Sequence, residues 1–86
     1  MKVVAAAIKL SSDYPHIFIA ERHVDIYEML RDSNIRYNKS ECVEGFLTDN
    51  DQFVDRIEAK KIAVAANQLI VPLEETYPAL YSEDVW

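Results

Sequence analysis

Residues 53–67 read FVDRIEAKKIAVAAN, and this stretch decides how the rest of the chain is parsed. Asp55 followed three positions later by Glu58 fits a capping box, with Asp in place of the more usual Ser or Thr. A helix is therefore predicted from Arg56 to about Asn67. Ala59, Ala63, Ala65 and Ala66 give it small side chains, which let a helix lie close to a sheet. Ile62 and Leu69 supply the larger contacts.

Upstream of that helix, Asp49-Asn50-Asp51 reads as a turn, and Cys42–Thr48 (CVEGFLT) as a strand. Gly45 inside this strand marks a bulge or a close approach by another group. Residues 36–41 are polar and read as a loop. Arg22–Ser33 is a second helical segment, with Ile26, Tyr27 and Leu30 on one face and His23 at its edge. Residues 2–9 and His16–Ala20 read as strands around a turn cluster at Ser11–Pro15, so they form a candidate hairpin. Downstream, Pro72 keeps Leu69–Leu73 from being a central strand. The tail Leu80–Trp86 (LYSEDVW) is expected to dock back onto the body. No repeat and no low-complexity tract is visible. The expected fold is α+β, residues 1–86 forming one domain: a small antiparallel sheet of about three strands packed by two helices.

The bulk numbers bound the function. With 86 residues and 50% hydrophobic side chains, the chain can build one small core and is not mainly disordered. Its single cysteine, Cys42, excludes an intrachain disulfide and points to a cytosolic setting. The apolar run Val3–Ile8 falls short of the roughly 20 residues that span a bilayer. Fifteen acids against nine Lys and Arg give a net charge of −6, which argues against long nucleic acid as a partner. The same charge keeps a small protein soluble, and an acidic surface could also dock on a basic host protein.

Catalytic and metal chemistry find little support. His16 and His23 fall on different elements, and Cys42 has no CxxC partner, so neither a metal nor another cofactor is expected. Cys42 beside His23 is a conceivable nucleophile pair, but a half-buried strand cysteine is the favoured explanation. The pairs Glu74-Glu75 and Glu83-Asp84 lack a third acid at a magnesium-binding spacing, and there is no glycine-rich phosphate loop.

One pattern breaks a local preference. A helix amino terminus carries partial positive charge and disfavours bases, yet one helix opens with Arg22-His23 and the other with Arg56. Free backbone N–H groups and cationic side chains pointing the same way suit an anion. The competing explanation is pairing of Arg22 and Arg56 with nearby acids such as Glu21, Asp25 or Glu58. His23 beside Tyr27 fits a hydrogen-bonded packing residue as well as a ligand contact. Tyr81 and Trp86 could stack on a base or simply anchor the tail, and Asn67-Gln68 could read a base edge or cap the helix.

The blocks Arg22-His23-x-Asp25, Glu44-Gly45-Phe46, Phe53-Val54-Asp55-Arg56-x-Glu58-Ala59, Ala65-x-x-Gln68 and Leu80–Trp86 occur in that order. Over residues 3–8 and 21–86 the chain resembles a group of short phage proteins with an RH-x-D, GF, FVxRxEA, Q, LxSEDLW pattern. Val24 stands where that group usually has a second His, and Asn67 where it often has Gly. The group is linked with phage anti-defence sponges, which sequester the cyclic nucleotide signals of CBASS-type bacterial immunity.

The resemblance implies a non-enzymatic binder of a cyclic dinucleotide or related second messenger, in the cytoplasm of the infected host. Its pocket would be lined by Arg22, His23, Arg56, Gln68 and the Ser82–Asp84 segment. Aromatic stacking on Phe46 and Tyr81, with Ser82 and Glu83 on ribose or base edges, completes the expected site. A shallow pocket on so small a chain implies a homo-oligomer with ligand near a subunit interface. The rival expectations are an acidic protein–protein inhibitor of a host factor and a small nucleotide-degrading enzyme.

Overall fold

The computed structural model describes all residues from 1 to 86. Four strands form one antiparallel sheet: β1 (Val3–Lys9), β2 (Phe18–Ala20), β3 (Val43–Thr48) and β4 (Phe53–Asp55), in the spatial order β2-β1-β3-β4. Helices α1 (His23–Asp32) and α2 (Arg56–Ala65) complete the α+β architecture. The fourth strand is the addition to the sequence reading. At three residues it is too short to show an alternation of its own, and it runs straight into α2.

The elements fall into two ββα units, β1-β2-α1 and β3-β4-α2. Each ends in a ten-residue helix. The long strands β1 and β3 pair at the centre, and the short strands lie at the edges, where brevity limits pairing with other chains. Both helices stop the same way. Asn34 and Asn67 adopt left-handed backbone, with φ of 56° and 57°, a conformation Asn tolerates better than most residues. The next amide in each case bonds back across the last turn, Ile35 N–H to Leu30 O at 3.0 Å and Gln68 N–H to Ala63 O at 2.8 Å. The architectural repeat has no counterpart in side-chain identity, so no sequence repeat announces it.

The register sets the faces. Ala6 lies between Ala20 and Phe46, and Phe46 lies beside Val54, so these side chains share one face. That face meets Ile26 and Leu30 of α1 and Ala59 and Ala63 of α2 in the core, which Leu80 and Val85 of the tail complete. Of the four alanines given that role in the sequence, Ala59 and Ala63 are fully buried against the sheet, whereas Ala65 is exposed and Ala66 is only partly buried at the helix end. Gly45, on the opposite alternation, is a close-approach glycine: a Cβ there would lie 2.1 Å from the Val54 carbonyl oxygen and 2.8 Å from the Phe53 ring.

Candidate functional site

The tail is a strap laid across the starts of both helices. Leu80 N–H bonds to Arg56 O at 2.9 Å, and the Arg56 guanidinium returns a bond to Leu80 O at 2.7 Å. Ser82–Asp84 then forms a single 3-10 turn. Trp86 packs edge-on to Phe46 at 6.3 Å, and its indole N–H donates to Glu21 O. Arg22 donates to the main-chain oxygen of Trp86. The docking expected from the sequence is thus made of main-chain bonds as well as apolar burial.

Beneath the strap lies a small cleft of about 80 Å³, lined by Arg22, His23, Val24, Arg56, Tyr81, Ser82 and Glu83. Six of the eight residues expected at the site meet there. Phe46 does not reach it. Its ring is fully buried below His23, edge-on at 5.0 Å, and acts as a floor. Gln68 stands apart from the cleft: its amide accepts from Val3 N–H at 2.9 Å and donates to Val3 O at 2.8 Å, clamping the start of β1.

His23 is 7% exposed and uses both ring nitrogens. Nε2 lies 2.7 Å from Gly45 O, which only accepts, so Nε2 carries the proton. In the neutral ring Nδ1 then accepts from the Ser82 hydroxyl at 3.0 Å. Burial, aided by the nearby Arg56 charge, lowers the His23 pKa and favours this neutral form against the opposing pull of the Gly45 bond. The packing role weighed for His23 is therefore real, and its ring also walls the cleft.

Arg56 pairs with neither Asp25 nor Glu58 but with Glu44, Nη2 to Oε1 at 2.6 Å, and its guanidinium lies 4.7 Å from the centre of the Tyr81 ring. The other Glu44 oxygen accepts from the Tyr27 hydroxyl at 2.5 Å. Burial alone would raise the Glu44 pKa, but the bonds from Tyr27 and Arg56 outweigh it and hold the carboxyl below its ordinary range. Glu44 is the residue missing from the sequence-level site. Its signal was a lone acid in the otherwise apolar CVEGFLT strand, on the same face as Phe46.

The two helix starts differ in kind. In α2 the Asp55 carboxylate caps the Glu58 N–H at 2.8 Å, the first half of the capping box read from the sequence, while the Glu58 side chain makes no return bond to Asp55. In α1 the N-cap position is Arg22, and no side chain caps the helix. The first-turn amides of α1 thus lack a side-chain acceptor at the end that borders the cleft. Cys42 does not line the cleft. Its thiol contacts Asn38 O, and burial with the nearby Glu44 and Glu41 charges raises its pKa.

Fold and site together define a small α+β protein whose carboxy-terminal strap roofs a cation-lined cleft at an uncapped helix start. Residues 2–86 match the family described as phage T4 y16D protein, and the chain belongs to that phage protein family. No curated protein and no solved structure matches it. No helix is long and apolar enough to cross a membrane.

Proposed function

We propose that this phage protein binds a nucleotide second messenger of the infected host, a cyclic dinucleotide in the first instance, and withholds it without degrading it. One observation carries this reading: the uncapped amino terminus of α1 opens on a cleft that Arg22 and Arg56 also line, Arg56 with its charge already paired to Glu44. Backbone amides at a helix start and guanidinium donors together recognise phosphate. Arg22 uses one of its five N–H donors on Trp86, which leaves donors for a ligand.

The size of the cleft shapes the proposal. About 80 Å³ accommodates a phosphate-sized group, whereas a pocket for a drug-sized ligand has about 300–1,000 Å³. The phosphate would enter the cleft, and the base would lie outside it on the exposed Tyr81 ring. Glu83 at the rim would accept from a ribose hydroxyl or a base amine. The remainder of the ligand would rest on a second subunit. Retention without turnover fits a site whose histidine has both nitrogens engaged by the protein.

The test is to incubate the pure protein with a panel of cyclic di- and trinucleotides, remove free ligand, denature, and identify what is released by mass spectrometry. Intact nucleotide is the expected result. No retention across the panel refutes the reading, and a hydrolysed product replaces it with an enzyme.

A further inference from the structure

We propose that the hollow at the carboxy-terminal end of α1 is a docking surface for an acidic segment of another protein. The hollow has a volume of about 670 Å³, larger than any other on the molecule. It is lined by Arg31, Asn34, Ile35, Arg36 and Tyr37, so its wall holds two cations and no acid. Lys39 adds a third cation at its border. The Lys39 ammonium lies 5.0 Å from the centre of the Tyr27 ring, and that ring packs on Tyr37 at 5.7 Å.

The patch inverts the charge of the whole. Three of the chain's nine Lys and Arg residues fall within residues 31–39, against a single acid, Asp32, in a protein of net charge −6. Little neutralises them from within. Arg36 has no acid partner, and Glu41, just past Lys39, pairs with none of the three. Arg31 meets only the adjacent Asp32, at 3.4 Å with the two side chains 72% and 73% exposed, and so exposed a pair is worth little. Complementing the helix dipole accounts for Arg31, in the last turn of α1, but not for Arg36 and Lys39 beyond it. At physiological salt, charges farther off than about 8 Å are largely screened, so the patch and not the net charge governs what docks there.

The chemistry of the wall selects carboxylates spread along a segment over one compact phosphate. The amides of Asn34 and Ile35 are already bonded, to Arg31 O at 3.1 Å and Leu30 O at 3.0 Å. The end of α1 that borders the hollow is the negative end of its dipole, which disfavours a concentrated dianion. Glutamates or aspartates of an extended segment carry one charge each and can take the guanidinium groups singly, in the two-pronged geometry that carboxylates share with arginine. An apolar side chain between them would rest on Ile35 and the half-exposed Tyr37 ring. The bonded turn at Asn34 and the Asn38 side chain, which accepts from Ser40 N–H at 3.1 Å, fix the loop in advance, so docking need not order it. This inference does not depend on the nucleotide reading.

The experiment probes an array of short peptides, in which glutamates flank differing apolar residues, with the labelled protein. Counterparts carrying glutamine serve as controls, and the tightest peptide is then titrated in solution. Glutamate peptides are expected to bind and glutamine peptides to fail. Arg36→Glu should weaken binding by about tenfold or more through like-charge contact, and Arg31→Gln should weaken it in the same direction. Arg36 is exposed and has no acid partner, so its replacement should leave the fold intact by circular dichroism. Lys61→Glu makes the same change of net charge on the exposed surface of α2 and should leave binding unaltered. No binding by any glutamate peptide, or an equal loss in Lys61→Glu, would overturn the proposal. ATP bound in an Arg36-dependent way, with no peptide bound, would overturn it too and make the hollow a site for phosphorylated small molecules.

Discussion

His23 donates from Nε2 to the carbonyl oxygen of Gly45 across 2.7 Å, and this contact ties the start of α1 to the central strand β3. It also makes acid stability legible. Burial places the folded His23 pKa below its ordinary 6.5, so below that pH the unfolded chain binds more protons than the folded one. The stabilisation from the neutral ring is complete above about pH 6.5 and is lost as pH falls toward the depressed folded value. Glu44 acts in a lower window, since its own loss begins only below its ordinary 4.5. Urea midpoints measured from pH 4.5 to 7.5 should therefore fall on the acid side of 6.5 in the wild type. They should stay flatter in His23→Gln. Equal slopes for the two proteins would refute this role.

Gly45 is needed for space. The Val54 carbonyl and the Phe53 ring both occupy the position of a side chain, and the carbonyl belongs to the paired β4 backbone. Gly45→Ala must push β4 outward, and overpacking of this kind costs about 2 kcal/mol or more. For a domain of this size that corresponds to a melting temperature lower by about 10 °C. A thermal scan showing an unchanged midpoint would mean that β4 can shift freely.

How far the sequence spoke depended on whether a signal was local. The Asp55 cap and the helix start at Arg56 were legible because capping involves residues three apart. Both helix ends at Asn34 and Asn67 follow from short-range backbone preference. The strand β4 was not legible, because three residues carry no periodicity. The two ββα units escaped notice because they repeat positions and not side chains. Charge at the helix starts led to Arg22, His23 and Arg56, since the penalty it carries is local, whereas Ser82 and Glu83 were reached only through the resemblance of the tail block. Gln68 and Glu44 could not be placed in the same way. The partner of one lies at Val3 and the partners of the other at Tyr27 and Arg56, contacts that exist only once the sheet and helices have assembled.

Gln68 now makes a separable prediction. Its amide serves both main-chain groups of Val3, a residue 2% exposed, from the turn after α2. Gln68→Ala leaves a buried donor and a buried acceptor without partners and should cost about 2 kcal/mol. Hydrogen exchange at the Val3 amide should accelerate. Ligand retention, per folded molecule, should be unchanged, because Gln68 lies away from the cleft. A selective loss of retention with normal stability would return Gln68 to the site.

The Arg56 guanidinium meets three groups at once: Glu44, Leu80 O and the Tyr81 ring. A lysine cannot reproduce that fork. Arg56→Lys should therefore loosen the strap as well as the cleft, with a stability loss of about 1–3 kcal/mol from charge-assisted bonds. Trp86 fluorescence, which reports strap docking against Phe46, should shift toward that of an exposed indole at lower denaturant than in the wild type. Coincident spectra across the titration would show that the strap holds without Arg56.

The contrast between the two helix starts yields the sharpest separation of stability from binding. Asp55 caps α2, so Asp55→Ala should cost about 1 kcal/mol and lower the melting temperature by several degrees, with ligand retention intact. Arg22 occupies the corresponding position of α1 and caps nothing. Arg22→Asn supplies the missing cap, a gain of about 1 kcal/mol, and removes the bond to Trp86 O, a loss of similar size. The two effects nearly cancel, so the melting temperature should change little. The same substitution removes a cation from the cleft and occupies first-turn amides with the new side chain. Nucleotide retention should then drop by about tenfold or more, as expected for loss of a charge-assisted phosphate contact. Unchanged stability with lost retention is what the proposed phosphate contact requires of Arg22. Wild-type retention by Arg22→Asn would show that the uncapped start of α1 serves only to hold the tail.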